Sequence, residues 1–407
     1  MTDSMRCRGM RDLAPEDMAL FRQIETVFRD VCTGWGYQEL RTPVVEHLHL
    51  FTSAGTLSPQ MLGRVYSFLD WDGWSGERVV LRPDSTIPVA RAYSESAALG
   101  EVWKRFYVQN VLRFASGDES REDWQCGIEL IGDSQPVADV EIIAIACEVL
   151  ANLGLDVHIT LSDPAIMRAV LARAGYDATQ QIDQYDRLLD GNVEVLDEIA
   201  QRIDGAGATL RAMLSLEGEG SAYIRNLSGT LGALVPEVEQ PLTSLLSVSA
   251  ILESLGRNHS VSPLLVRNFE YYTGPVFRIK SDGITLAGGG RYNDLIGLVG
   301  GPDVPASGFA LEMDAIMSVL PPVGMQPPRV LVRPGVKGDQ GLAATFALTS
   351  ALRGAGVAFL ISAVAIAAGE AEAVVDDEGY TLHLNGAAPQ RFVGATDLVQ
   401  ALTAADG

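Results

Sequence analysis

Cysteine is scarce in this 407-residue chain, and its four copies, Cys7, Cys32, Cys126 and Cys147, are widely scattered, with no Cys-x-x-Cys pair and no histidine at metal-ligand spacing. That gives no disulfide framework and no zinc or redox motif, so no metal is expected and the four read as reduced, mostly buried thiols. Also lacking is any apolar run near the roughly twenty residues that a membrane span requires. The start, Met1-Thr2-Asp3-Ser4-Met5-Arg6, has no signal-peptide apolar region. A cytoplasmic, soluble protein with no membrane partner is the expectation. Positive charge is short as well: 30 lysines and arginines stand against 52 acids, a net charge of −22. Such a chain repels polyanions at long range and carries no basic stripe; Arg6, Arg8 and Arg11 read as solvated charges ahead of a helix.

What is present is length enough for two or three domains with proper cores. Pro15, Glu16 and Asp17 open a helix where the dipole favours acids, and Leu20, Phe21, Ile24, Val27, Phe28 and Val31 recur at helical spacing up to Gly34-Trp35-Gly36. Tyr37 to Pro43 begins a strand. Val79 to Leu81 is an apolar strand that enters a proline turn and a helix, placing Asp84 and Thr86 at a strand end. A carboxylate and a hydroxyl two residues apart can both accept from an ammonium group, although a turn whose Asp84 or Ser85 caps the helix fits the same residues. Phe106 to Phe114 and Trp124 to Gly132 form a hairpin around an acidic loop, Ser116 to Asp123. Gln125 and Glu129 share one face of its second strand.

Arg267, Glu270 and the pair Tyr271-Tyr272 could hold a zwitterion between guanidinium, carboxylate and phenol. Ser281-Asp282-Gly283 is a hairpin turn leading to Gly288-Gly289-Gly290-Arg291-Tyr292, where missing side chains let a ligand approach the backbone. From Pro164 to about Ser260 the pattern is helical, with Glu217 to Gly220 read as a loop. Residues 321–328 read as a linker, and 329–407 as a small α/β domain. From Gly338 onward only Arg353 and Arg391 are basic, against eight acids.

Several of these runs resemble the class II histidyl-tRNA synthetases. Arg267 to Gly274 is similar to their histidine-recognition run, an arginine followed by Gly-Leu-Asp-Tyr-Tyr-Thr, here with Asn268-Phe269-Glu270 in place of Gly-Leu-Asp. Gly36 to Glu46 resembles their first motif, a dimer-building helix and strand. The hairpin stands where the second motif should be, with Arg113 at the place of the arginine for the α-phosphate but Ala115 at the following glutamate. Gly308 to Ile316 resembles the last motif, Gly-Phe-Ala-Ile-Gly-Leu-Glu-Arg-Leu, with Ala315 at the ATP-holding arginine. Arg-Pro-Asp-x-Thr-x-Pro-x-Ala-Arg, from Arg82, looks more like the non-catalytic relatives of these enzymes, the regulatory subunits of ATP phosphoribosyltransferase.

The resemblance implies an α+β class II synthetase-like antiparallel sheet flanked by helices over residues 1–320, with a helical insertion at about 164–260 and a small C-terminal α/β domain. It implies a histidine-like ligand site built from Asp84, Thr86, Arg113, Gln125, Glu129, Arg267, Glu270, Tyr271, Tyr272, Gly288, Gly289 and Tyr292, with no catalytic residue and no cofactor. The function it implies is regulation of a short-form ATP phosphoribosyltransferase catalytic subunit in histidine biosynthesis, by a homodimer that senses histidine. On that reading the chain is no enzyme by itself. The alternatives are a divergent histidine–tRNA ligase, which Arg267 favours, and an amino-acid-binding paralogue that regulates another enzyme. The acidic tail is a poor surface for an anticodon loop, so tRNA is not an expected partner.

Overall fold

The computed structural model describes residues 5–54, 63–71, 73–74, 76–96, 101–117, 119–189, 191–192, 194–204, 207–265, 272–322, 329–335, 338–362, 371–384 and 387–404. Two compact units divide the chain, Met1–Pro322 and Val323–Gly407. In the first, the strands in chain order are β1 (Gln38–Glu39), β2 (Val45–His47), β3 (Ser67–Trp71), β4 (Gly76–Leu81), β5 (Trp103–Leu112), β6 (Glu122–Ile131), β7 (His158–Ser162), β8 (Gly218–Glu219), β9 (His259–Val261), β10 (Val276–Ser281), β11 (Ile284–Arg291) and β12 (Ala306–Glu312). Nine of them make one sheet in the order β1-β5-β6-β12-β11-β10-β7-β9-β8, antiparallel except where β1 meets β5 and β7 meets β9. β2, β4 and β3 form a smaller antiparallel sheet.

Strand alternation divides the large sheet into two faces. Phe106, Val108, Cys126, Ile128, Leu130, Phe309 and Leu311 lie in one core with the helices Pro15–Gly34 and Pro136–Asn152. The first helix starts on Pro15, with the Asp17 carboxylate accepting from the Ala14 N–H at 3.3 Å, and buries Phe21, Ile24 and Phe28. Residues of opposite parity, Tyr107, Ile131, Tyr292 and Ala306, pack under Ile87, Val89, Ala90 and Tyr93 of the helix Thr86–Ser94. The candidate site lies on this second face.

Two buried arginines fasten the loops that border it. Arg82 donates to the carbonyls of Thr42 (3.0 Å), Pro43 (3.0 Å) and Asn110 (2.7 Å) and to Gln109 Oε1 (2.5 Å), which ties the turn after β4 to β5. The same capture ends β1 early: Tyr37 to Pro43, expected as a strand, ladders only at Gln38–Glu39 because the Thr42 and Pro43 carbonyls turn to Arg82. Arg291, at the end of β11, pairs with Asp139 at 3.0 Å, both side chains being only 7% exposed, and also donates to the carbonyls of Asp133 and Gln135.

From Pro164 to Ser254 the chain is mainly helical, and Val195, Leu196, Ile199, Leu231, Leu245 and Leu252 are buried. Within it Gly218–Glu219, expected as loop, is β8, which pairs with β9; the Glu217 carboxylate beside it accepts from Thr160 (3.3 Å) and Ser260. The β10–β11 turn has φ of 47° at Asp282 and 82° at Gly283, the left-handed pair of a tight hairpin.

The second unit holds a five-stranded sheet, β14-β13-β15-β16-β17, made of β13 (Val330–Pro334), β14 (Phe359–Ile361), β15 (Ala371–Asp376), β16 (Gly379–Leu384) and β17 (Gln390–Phe392). β14, β13 and β15 run parallel, whereas β15, β16 and β17 form an antiparallel meander. Leu348, Leu352, Leu398 and Leu402 of the helices Asp339–Gly354 and Ala395–Ala404 close its core. No helix of the described residues is long and apolar enough to cross a membrane.

Candidate amino-acid site

Register aligns the second face into three rows across the strands. The first carries Glu129, Gly308 and Gly290; the second Tyr107, Gly127, Ala310 and Gly288; the third Gln109, Gln125 and Glu312. At about 3.4 Å per residue, the first and third rows lie roughly 14 Å apart along the strands. In the middle row the Tyr107 ring lies over Gly127, while Ala310 and Gly288 present little or no side chain and make a shallow trough between polar ends. A Cβ on Gly288 would meet only the Phe277 carbonyl, at 3.8 Å, which leaves that position open. A Cβ on Gly127 would overlap the Tyr107 ring, and one on Gly308 would overlap the Glu129 carboxylate. Those glycines let Tyr107 and Glu129 lie across neighbouring strands.

Glu129, 1% exposed, is the centre of the first row. The Tyr292 hydroxyl donates to its Oε2, the Tyr107 hydroxyl to its Oε1 at 3.3 Å, and Thr86 also bonds its carboxylate. Burial pushes the Glu129 carboxyl well above the usual carboxylate range; the Thr86 bond opposes this and the nearby Asp84 charge reinforces it. Asp84 is likewise raised by burial, against the Ile87 N–H, which its Oδ1 accepts at 2.9 Å, and the Arg113 charge. Asp84 therefore caps the helix and borders the pocket at once. Of the two roles weighed in the sequence, the bond to the helix N-terminus is present, and a carboxylate has a second oxygen with which it could accept from a ligand. Tyr272 completes this end, its ring 6.5 Å from that of Tyr292, and the charges of Asp84, Glu129 and Glu312 add to the burial that raises its phenol. Two carboxyls whose ionisation burial opposes would be stabilised as anions by a cationic group placed beside them.

The third row differs. Gln125 Nε2 lies 3.4 Å from Glu312 Oε1, and Glu312 is raised by burial, against Arg113 and with Asp123. Arg113 is engaged, donating to the Pro83 carbonyl at 2.7 Å and lying 3.8 Å from Asp123. Arg121, the arginine of the acidic loop, donates to the Ala115 carbonyl and stacks 4.6 Å over Phe114, while Arg11 pairs with Asp314. Ala315 packs against the core.

Of the expected site residues, Asp84, Thr86, Arg113, Gln125, Glu129, Tyr272, Gly288 and Tyr292 belong to this second face or border it. Gly289 does not line the trough: its Cβ position meets Phe309 on the opposite, core face. Arg267, Glu270 and Tyr271 lie outside the described residues. Tyr107, Gly127, Gly308 and Glu312 are additional members; Tyr107 shares its face with Gln125 and Glu129 through the hairpin register, which alternation alone does not supply.

A family model described as histidyl-tRNA synthetase matches residues 9–316. The chain belongs to the histidyl-tRNA synthetase family. Within that family it is 45% identical over 317 residues to the ATP phosphoribosyltransferase regulatory subunit of Dehalococcoides mccartyi strain BAV1, covering 77% of each chain. It is 33% identical over 328 residues to the histidine–tRNA ligase of Methanosarcina acetivorans, covering 78% of this chain and 75% of that one. The fold matches the structure of an ATP phosphoribosyltransferase regulatory subunit/histidyl-tRNA synthetase from Bacillus halodurans, with a TM-score of 0.74 at 24% identity over 89% of this chain and 93% of that one. Histidyl-tRNA synthetase from Nostoc sp. PCC 7120 gives 0.71 at 19% identity over 99% of both chains. Both family members confirm the class II synthetase-like fold with its helices and small C-terminal sheet.

Proposed function

We propose that this chain is a regulatory subunit of ATP phosphoribosyltransferase that binds free histidine, or a related amino acid, in the trough around Glu129. It would act as a cytoplasmic homodimer and control a short catalytic subunit in histidine biosynthesis, with histidine favouring one state of the complex over another. The observation that carries this reading is the split of one sheet face. Three hydroxyls converge on Glu129 at one end, while the other end has Ala115, Ala315 and an added acid where a nucleotide triphosphate would need free cations. The 45% identity to proteins named as regulatory subunits supports the same choice.

The test has two arms. Purified protein mixed with a short phosphoribosyltransferase should raise its turnover and confer inhibition by histidine, and calorimetry should detect histidine binding to the chain. Histidine-dependent ATP–pyrophosphate exchange should be absent; robust exchange would instead establish the ligase reading, which the presence of Arg267 favours. Histidine binding without any effect on the phosphoribosyltransferase would point to a paralogue that serves another enzyme.

A further inference from the structure

Glu312 brings a carboxylate to the second face of the sheet. It ends β12 directly opposite Gln125, in the row that also contains Gln109. The synthetase motif quoted above has glycine at this place, where a missing side chain would leave the floor continuous. Here a side chain with a carboxylate rises from the third row. Its Oε1 lies 3.4 Å from Gln125 Nε2, and Asp123 and Asp314 are close enough to push its carboxyl up further. Arg113, the cation facing it, is held by the Pro83 carbonyl at 2.7 Å and faces Asp123 at 3.8 Å. An anion placed beyond Gln125 would meet acids, with no vacant floor beneath it.

We propose that Glu312 is a specificity-determining residue: it closes the trough on the side of the ligand carboxylate, admitting a free amino acid and rejecting the same amino acid joined through its carboxyl to a phosphate or adenylate. The inference rests on the amino-acid reading of the site and adds the ligand class. Exclusion comes from two sources, the volume of the side chain over what would be open floor and the repulsion between a phosphate and the carboxylate. Glu312→Gln removes the second and keeps the first; Glu312→Gly removes both.

The experiment compares the full-length protein and these two variants by calorimetry, with L-histidine and with a non-hydrolysable sulfamoyl analogue of histidyl-adenylate as probes. The wild type should bind histidine about 100-fold more tightly than the analogue; Glu312→Gly should raise analogue affinity about tenfold or more, and Glu312→Gln by a smaller factor of about three. Thermal melts establish that each variant is folded, and the isosteric Glu312→Gln carries the test if glycine weakens the strand. Equal affinity of the wild type for both probes, or analogue affinity within about twofold of wild type in both folded variants, overturns the proposal. If histidine binds but the variants do not respond, the gate fails and the amino-acid site stands. If the wild type binds no histidine yet analogue affinity rises in Glu312→Gly, the gate stands and the histidine reading fails.

Discussion

The two ends of the trough are built on the same strands and carry opposite kinds of side chain. At the Glu129 end, hydroxyls from β5, from the residue after β11 and from the helix Thr86–Ser94 converge on one buried carboxyl. At the Glu312 end, arginines bond carbonyls and acids, and Glu312 adds a carboxylate opposite Gln125. Rows about 14 Å apart along the strands do not touch, although the Arg113 charge acts on both Asp84 and Glu312. One unbroken register can therefore carry converging hydroxyls at one end and acids at the other. The difference teaches that a fold alone says little about activity, whereas the side chains of a single row limit what kind of ligand fits there.

The largest expected effect removes the frame that the Glu129 end depends on. Arg82→Ala removes the donor that bonds the buried Thr42 carbonyl and the less buried Pro43 and Asn110 carbonyls, so unfolding in urea should show a loss of about 2–4 kcal/mol. A loss under about 1 kcal/mol would mean that the turn bearing Asp84 is held by something else. Next, Glu129→Gln imitates the neutral acid that burial favours, so folding stability should change by less than about 1 kcal/mol while histidine binds about 10- to 100-fold more weakly, the worth of a charge-assisted bond. If affinity is unchanged, the cation is not at this end and the comparison between the two ends fails.

Gly127→Ala probes the floor between them. The added methyl overlaps the Tyr107 ring and should cost about 1–3 kcal/mol in stability, with weaker histidine binding as the hydroxyl leaves Glu129. A variant of wild-type stability and affinity would show that Tyr107 has another place to go.

Much of this was legible in the sequence. The apolar spacing of Leu20, Phe21, Ile24, Phe28 and Val31 marks a helix, and the ordered motifs around Asp84, Gln125–Glu129 and Gly288–Tyr292 mark the sheet and the side chains that it gathers on one face. Tyr107 and Gly127 were not legible as a pair, because they meet through cross-strand register, which depends on how the hairpin closes. Gly289 was misplaced for a related reason: in a run of three glycines, parity puts Gly288 and Gly290 on one face and Gly289 on the other, and only the pairing with Gly308 and Phe309 fixes which is which. Glu312 stands where the quoted motif has glycine, a difference passed over in favour of Ala315, and its bearing on the site needed its position opposite Gln125.

The smallest effect is a proton. Burial raises both Glu129 and Glu312, so both tend toward the neutral form, but only Glu129 faces the end where an ammonium or imidazolium is expected. The free acid binds a proton that the ion-paired acid releases, so affinity should rise with pH between the lowered pKa of the complex and the raised pKa of the free site, by at most about tenfold per pH unit. The ligand imidazole titrates near 6.5, and its own proton exchange cancels when variants are compared at one pH. Calorimetry in buffers of different ionisation enthalpy should then record greater proton release on histidine binding to the wild type and to Glu312→Gln than to Glu129→Gln. Release that persists in Glu129→Gln and disappears in Glu312→Gln would reverse the assignment of the two ends.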